Sequence, residues 1–280
     1  MNFSIKNLQI IIVLFKEKIS TSISYKSITE SDPEINVFIY DNSPTRDPDA
    51  EKFPNVVYIH DKRNLGVSTA YNEGAKFAKS KNIEWLLLLD QDTQVPVNFL
   101  SQLKLNINMT NPLNLYAMRL YSNGMLLSPC GYKFKRGNFL RNIKEGKNNL
   151  KKITFLNSGL LLSTELFFKV QGYDKNVPLY FSDFVFINRL RKHIKTFTLL
   201  PIDLIHNLSS NDTKDKKKFQ GRYNLYLKGA FEALASEKEG YISYFATTFF
   251  RAIKLSLTLK DSYYIKSFMA QVRLYNKRRK

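Results

Sequence analysis

The chain has 280 residues, an apolar share of 44%, a single cysteine and a formal net charge of +19. That length suits one large α/β domain with an appendage, and one cysteine excludes an internal disulfide and fits a reducing compartment. So positive a field favours polyanions: phosphorylated substrates, an anionic membrane or nucleic acid. No zinc-finger cysteine set or RNA-recognition signature supports nucleic acid, and no uncharged 18-residue stretch is present to form a transmembrane helix.

Residues 10–15 read as a first buried strand, too short to span a bilayer and without a small-residue cleavage site. A crossover helix is expected over 17–30. Residues 37–40 form a second strand ending on Asp41-Asn42-Ser43-Pro44, and the proline- and acid-rich residues 44–54 are a loop. A third strand spans 56–59. After Asn64-Leu65-Gly66, apolar and small residues at Val67, Ala70, Tyr71, Gly74, Ala75 and Ala78 follow helical spacing. The run Trp85-Leu86-Leu87-Leu88-Leu89 then leads without a break into Asp90-Gln91-Asp92-Thr93. Strand alternating with helix predicts a mostly parallel sheet flanked by helices.

Beyond residue 96 the rhythm changes. A helix is expected over 97–109, and Ser122-Asn123-Gly124 between two apolar runs (115–121 and 125–128) is a hairpin signal. Residues 132–152 carry eight Lys or Arg against one Glu and read as a mobile basic loop. Apolar residues 153–162 surround Asn157-Ser158-Gly159. A short helix over 165–170 precedes another over 183–192, which begins at an acid suited to an N-cap. Residues 196–200 and 202–205 read as a strand pair or one bent strand delivering His206. Residues 211–221 are a polar, Lys-rich linker, and 222–280 a basic helical extension.

The acids after the 85–89 strand carry the first chemical inference. A strand of continuous apolar residues is buried on both faces, as in parallel sheets, and ligands bind beyond the carboxyl ends of such strands. Asp90 and Asp92 stand two apart at that end, where both reach one divalent cation. Hard oxygen ligands suit Mg²⁺ or Mn²⁺ bridging a diphosphate. Read alone, Asp183 is an ordinary helix cap, His206 a core histidine, and Asn64 and Gly66 turn residues.

In order, these motifs resemble family 2 inverting glycosyltransferases of the GT-A fold, above all rhamnosyltransferase-like members of bacterial polysaccharide synthesis. The resemblance covers about residues 8–210. It rests on Tyr40-Asp41-Asn42-Ser43, Arg63-Asn64-Leu65-Gly66-Val67 with Ala70 and Asn72, Asp90-Gln91-Asp92, Asn157-Ser158-Gly159, Leu179-Tyr180-Phe181-Ser182-Asp183, and the late His206. It implies a GT-A domain over 1–210 and donor-nucleotide contacts from Asp41, Asn42, Asn64, Gly66, Asp90 and Gln91. It further implies Mn²⁺ or Mg²⁺ on Asp92, Asp90 and His206, an acceptor side at Asn157, Ser158 and Gly159, and Asp183 as catalytic base. The implied reaction moves one sugar from a UDP- or dTDP-linked donor to a glycan or lipid-linked acceptor, in O-antigen or capsule synthesis. Phe186 stands where members carry a second acid, and Lys16 near where their first strand ends on Asn. The processive motif Q-x-x-R-W is absent, since Trp85 is the only tryptophan, so single transfers are expected.

Two other readings compete. Phosphatases of the haloacid dehalogenase type also place D-x-D-x-T after an apolar strand, with the first Asp as nucleophile. Here the threonine comes one residue early, at Thr93, and no Gly-Asp-x-x-x-Asp follows. A non-catalytic basic membrane- or nucleic-acid-binding protein is the third. Residues 251–280 of the extension interleave Lys and Arg with Leu, Ile, Tyr and Phe, a composition of membrane-surface helices. It predicts a cytoplasmic protein held peripherally on the inner face of an anionic membrane.

Overall fold

A computed structural model describes residues 3–107, 114–206 and 215–279. Four strands, β1 (Leu8–Leu14), β2 (Val37–Asp41), β3 (Val56–His60) and β4 (Trp85–Asp90), pair in parallel in the order β3-β2-β1-β4. All seven residues of β1 are buried. Because side chains alternate along a strand, Ile11 and Val13 enter one core, while Ile10, Ile12 and Leu14 enter the other. In β4, Leu86 and Leu88 share the first core, and Trp85, Leu87 and Leu89 the second. Each such aliphatic side chain contributes about 1.5–3 kcal/mol by leaving water, so an unbroken apolar run is what a central strand needs.

Helices α1 (Ile23–Ser31), α2 (Gly66–Ser80) and α3 (Phe99–Asn106) cover this half of the sheet. Ala70, Tyr71, Ala75 and Ala78 of α2 lie in the first core, and Phe99, Leu100 and Leu103 of α3 in the second. The first helix starts later than the expected 17–30, because Ser22 caps it by accepting a hydrogen bond from the Tyr25 N–H. The end of the expected 97–109 helix lies outside the described residues.

Past β4 and the short β5 (Thr93–Gln94), the sheet becomes mixed. It gains β6 (Leu115–Ser122), β7 (Met125–Ser128), β10 (Gly146–Asn149), β12 (Leu160–Ser163) and β13 (Thr196–His206), with β12 antiparallel to β4 and the order running on as β12-β6-β13-β10. The hairpin at Ser122-Asn123-Gly124 is present as β6 and β7. Strand β13 is one strand, with a bulge between Leu199 and Asp203 where Pro201 lacks an N–H to donate.

The basic stretch 132–152 is not the loop expected. Strands β8 (Cys130–Lys133), β9 (Arg136–Asn138) and β11 (Ile153–Thr154) form a second, three-stranded sheet, and β10 edges the main one. Short strands with a charged residue, such as β9 with Arg136 and β10 with Lys147, are how proteins finish a sheet edge, and the surrounding charge hid them.

Two helices, α4 (Thr164–Lys169) and α5 (Ser182–His193), precede three more: α6 (Lys216–Glu237), α7 (Tyr241–Thr258) and α8 (Tyr263–Arg279). The expected linker 211–221 is therefore helical from Lys216, capped by the Asp215 carboxylate, which accepts from the Lys218 N–H; residues 211–214 lie outside the described residues. The last three helices form a third core with the segment entering α5: Val177, Phe181 and Val185 meet Tyr223, Leu227, Phe231 and Tyr244. Part-buried Lys135, in the β8–β9 turn, pairs with Glu237 at 2.7 Å, and the Tyr244 hydroxyl donates to the same carboxylate at 2.8 Å. Among the described residues no helix is long and apolar enough to cross a membrane.

Gly229 lets α6 approach this closely, since a Cβ there would stand 2.5 Å from the Tyr180 carbonyl oxygen. Alanine is the better helix former by about 1 kcal/mol, yet overpacking costs about 1–3 kcal/mol. Gly229→Ala should therefore lower the melting temperature followed by circular dichroism. An unchanged or raised value would show that the contact relaxes.

Candidate active site

The carboxyl ends of the parallel strands gather the acids. In the strand register Asp90 is level with Val13 of β1 and Asp41 with Leu14. The two acids thus lie two strand spacings apart, about 10 Å, on one edge of the sheet.

The turn after β4 is held by groups distant in sequence. The Asp90 carboxylate accepts from the Tyr71 hydroxyl at 2.8 Å, and the Asp90 N–H donates to Ser158 Oγ at 3.0 Å. Ser24 Oγ donates to the Thr93 carbonyl at 2.7 Å and also to the Asp90 carbonyl. Ser22 Oγ donates to the Gln91 carbonyl at 3.0 Å. The Gln91 side-chain oxygen accepts from the Phe15 N–H at 2.7 Å, tying the turn to the end of β1. With backbone and flanks so fixed, Asp92 is left projecting from the turn.

His206 arrives from the far side of the sheet as the last residue of β13, directly opposite Thr93 of β5. Its Nδ1 lies 3.3 Å from Asp92 Oδ1 and 3.0 Å from Thr93 Oγ1. Burial raises the proton affinity of Asp92; His206 opposes that shift and the charge of Asp90 adds to it. Two ligands each ~2.1 Å from an octahedral cation lie ~3.0 Å apart, so the carboxylate oxygen and imidazole nitrogen fit as neighbouring ligands of one metal ion. Among the described residues no cluster of three or more His, Cys, Asp or Glu is suited to a metal. The remaining positions would fall to phosphate oxygens and water.

Asp183 lies in the first turn of α5, not at its cap; that position is Phe181, in the left-handed conformation at φ 69°. Asp183 Oδ1 accepts from the Phe184 N–H at 2.8 Å. A helix N-terminus favours the carboxylate, but burial dominates. The carboxyl is densely surrounded while part of the residue stays accessible, and its pKa is pushed up to about 7, with the charge of Asp90 adding to the effect. An acid whose proton affinity is raised into the neutral range, beside a second acid, is chemically able to take and return a proton near neutral pH.

The other expected residues fall around this centre. Asn157 Oδ1 accepts from the Tyr173 hydroxyl at 2.9 Å, and Tyr173 stacks on Phe186 with ring centroids 4.0 Å apart. Buried Ser158 holds the acidic turn through Asp90 and Thr93, and the Gly159 N–H donates to the Leu88 carbonyl. Asp41 is buried; it accepts from the Tyr58 hydroxyl at 2.5 Å and the Ser43 N–H at 2.8 Å. The Asn42 side-chain oxygen is buried with no hydrogen-bond partner. Asn64 is an exposed turn residue at φ 50°. Gly66 opens α2 at φ +82°, where a Cβ would meet the Pro178 carbonyl oxygen at 2.3 Å, so close backbone approach accounts for that glycine. Sequence reasoning missed Ser22, Ser24 and Tyr71, whose bonds to the acidic turn span 19 to 69 residues. The only local signal was a serine ahead of a helix.

A cavity of about 470 Å³ lies elsewhere, between α6, α7 and α8, lined by Phe231, Tyr241, Tyr275 and Arg278 among others. It shares no residue with this cluster, so chemistry rather than volume picks out the site. Buried Cys130 has its thiol pushed up to about 12 by burial, so it is no nucleophile at neutral pH.

The sequence profile of glycosyl transferase family 2 matches residues 9–159. No curated protein matches the chain. Among solved structures, the chain is similar to GalNAc-T7 with UDP, GalNAc and Mn²⁺, at 14% identity and a TM-score of 0.57, covering 85% of this chain and 54% of that one. It is also similar to S. aureus TarS 1–349 with UDP, at 15% identity and a TM-score of 0.52, covering 89% and 72%. The same TarS segment with UDP-GlcNAc gives 14% identity and a TM-score of 0.55, covering 96% and 80%. At such identities the likeness shows the fold, a GT-A-like mixed sheet flanked by helices, and the chain spans about half the length of the GalNAc-T7 chain.

Proposed function

The chain belongs to glycosyl transferase family 2, and on that premise we propose that it moves one sugar, with inversion, from a UDP- or dTDP-linked donor to a hydroxyl of a glycan or lipid-linked acceptor. One observation carries this reading: Asp92 and His206 meet at 3.3 Å on the same sheet edge as Asp41, while Asp183, with its pKa pushed up to about 7, feels the charge of Asp90. The span of about 10 Å between the ends of β2 and β4 suits a nucleoside diphosphate, with its base toward Asp41 and Asn42 and its phosphates toward Asp90 and Asp92. UDP complexes of the structural neighbours favour uridine.

In this reading the acceptor oxygen attacks the anomeric carbon as its proton passes to a carboxylate oxygen of Asp183. The bond from that carbon to the β-phosphate oxygen breaks, and the diphosphate leaves with the electron pair. One base and direct displacement give inversion. A base with pKa near the working pH is the efficient choice. Mn²⁺ or Mg²⁺ on Asp92 and His206 would offset the charge growing on the leaving diphosphate; the Mn²⁺ beside UDP in GalNAc-T7 supports the choice of metal. Tyr71 and Ser158 fix Asp90 beside it, and Tyr173 orients Asn157 toward the acceptor side. Synthesis of a surface polysaccharide, O-antigen or capsule, by a cytoplasmic protein attached to an anionic membrane through its C-terminal helices completes the proposal.

Incubation with a panel of nucleotide sugars, a mixed glycan acceptor and Mn²⁺ should release nucleoside diphosphate. Phosphate release from simple phosphomonoesters would favour the phosphatase instead, and neither release would overturn catalysis.

A further inference from the structure

Helix α7 is apolar on two sides, and the fold covers only one. Tyr244, Thr248 and Ala252 are buried in the third core. On the outer side Ile242, Ala246, Phe250, Ile253 and Leu257 recur at spacings of four, four, three and four, a single stripe of the helical period. Three of its large members are bare: Ile242 is 82% exposed, Phe250 66% and Leu257 73%, while Ile253 is half-buried. Exposed Lys254 borders the stripe, while the Arg251 guanidinium lies over the Tyr226 ring of α6 at 4.3 Å; exposed Lys266, Met269 and Arg273 of neighbouring α8 continue the mixture of cation and apolar side chain. Scattered exposed apolar residues need no explanation, but a contiguous row marks an interaction surface.

Charge decides what covers it. A second copy of the chain packed on the stripe about a two-fold axis would bring Lys254 toward its own equivalent, in molecules of net charge +19. A spanning role is closed to α7, since no described helix is long and apolar enough. A helix with an apolar stripe rimmed by Lys and Arg lies in the plane of a bilayer, apolar side down and cations among the headgroups. We propose that the outer face of α7 is the surface by which this chain docks on an anionic phospholipid bilayer, with Phe250 and Leu257 inserted below the headgroups. The inference deepens the membrane attachment proposed above and assigns it to one face of one helix, with α8 adding charge.

The test uses the full chain. The single native tryptophan, Trp85, is only 3% exposed, so Phe250→Trp supplies a reporter against a quiet background. Its emission should shift to the blue on vesicles of phosphatidylglycerol and phosphatidylcholine, and stay unchanged on phosphatidylcholine alone. The double variant Phe250→Asp, Leu257→Asp should bind the anionic vesicles at least tenfold more weakly in sedimentation, with an unaltered melting temperature, and added salt should weaken the parent. Absent vesicle binding, or binding without the blue shift, overturns the assignment. So does a dimer in analytical ultracentrifugation that the double variant abolishes, because the stripe then serves a second copy. Release of nucleoside diphosphate as sugar is transferred to a soluble acceptor, measured alongside, separates failure of this inference from failure of the transferase reading.

Discussion

Asp183→Asn should lower turnover by on the order of 10² to 10⁴, the contribution of a positioned general base, while leaving donor affinity near that of the parent. The amide keeps the shape of the carboxylate and accepts the Phe184 N–H as before, but it cannot take the acceptor proton. Retention of more than a tenth of the rate would remove Asp183 from the mechanism. The pH dependence gives an independent check. The base must be ionised, and burial has pushed its pKa to about 7, so kcat/KM should rise with pH and level off above that value. The same shift has a thermodynamic sign. Between the ordinary carboxylate value of 3.8 and about 7 the folded chain holds a proton that the unfolded chain has released. Stability associated with this group is therefore present at low pH and lost as pH rises through 7. The Asn variant escapes that loss, so it should melt above the parent at pH 8, with the gap closing toward pH 4.

Asp92→Ala should be the second severe lesion. Removing the projecting carboxylate takes away the anionic ligand that faces His206 at 3.3 Å. Charge neutralisation at a leaving diphosphate is worth several kcal/mol, and each 1.36 kcal/mol is tenfold in rate. The loss in turnover should accordingly reach about 10²-fold or more. Titration calorimetry supplies a readout besides activity: Mn²⁺ should tighten UDP binding to the parent and do so far less in the variant. His206→Asn should cost less, about tenfold, and the double variant should fall little below Asp92→Ala, because residues sharing one interaction are not additive. Equal activity of parent and Asp92→Ala in excess EDTA and in Mn²⁺ would contradict the metal assignment.

What was legible in the sequence was whatever is encoded by neighbours. The runs 85–89 and 10–15 announced central strands because continuous apolar residues have few other stable places, and the position of Asp90 at the carboxyl end of the first of these runs followed from topology. The helix over Val67 to Ala78 declared itself by period. The short edge strands β9 and β10 did not, since an edge strand of polar residues has no apolar face to pattern. Strand β13 was obscured by Pro201, which the bulge accommodates. At the site, Asp90, Asp92, Asp183 and His206 were visible as residue types in spaced motifs. The partners that fix them were not. Tyr71, Ser22 and Ser24 reach the acidic turn across the fold, and nothing in a serine's immediate sequence tells which carbonyl it will meet. Read without the family motif, Asp183 looked like a helix cap because an acid at a helix start usually is one; its burial and the charge of Asp90 set it apart in the fold.

Phe181 sets a constraint on how this protein comes into being. A bulky residue holds a left-handed backbone only where its surroundings over-determine it. Here the ring is wedged against Tyr226 of α6 at 5.2 Å and Tyr244 of α7 at 5.7 Å, two residues ahead of Asp183. In the order of translation every proposed catalytic and metal-binding side chain leaves the ribosome before either of those tyrosines. A growing chain therefore carries its donor acids, Asp90 and Asp92, before it has the rings that fix the start of α5. The start of α5, two residues before Asp183, gains this packing only when α6 and α7 are in place.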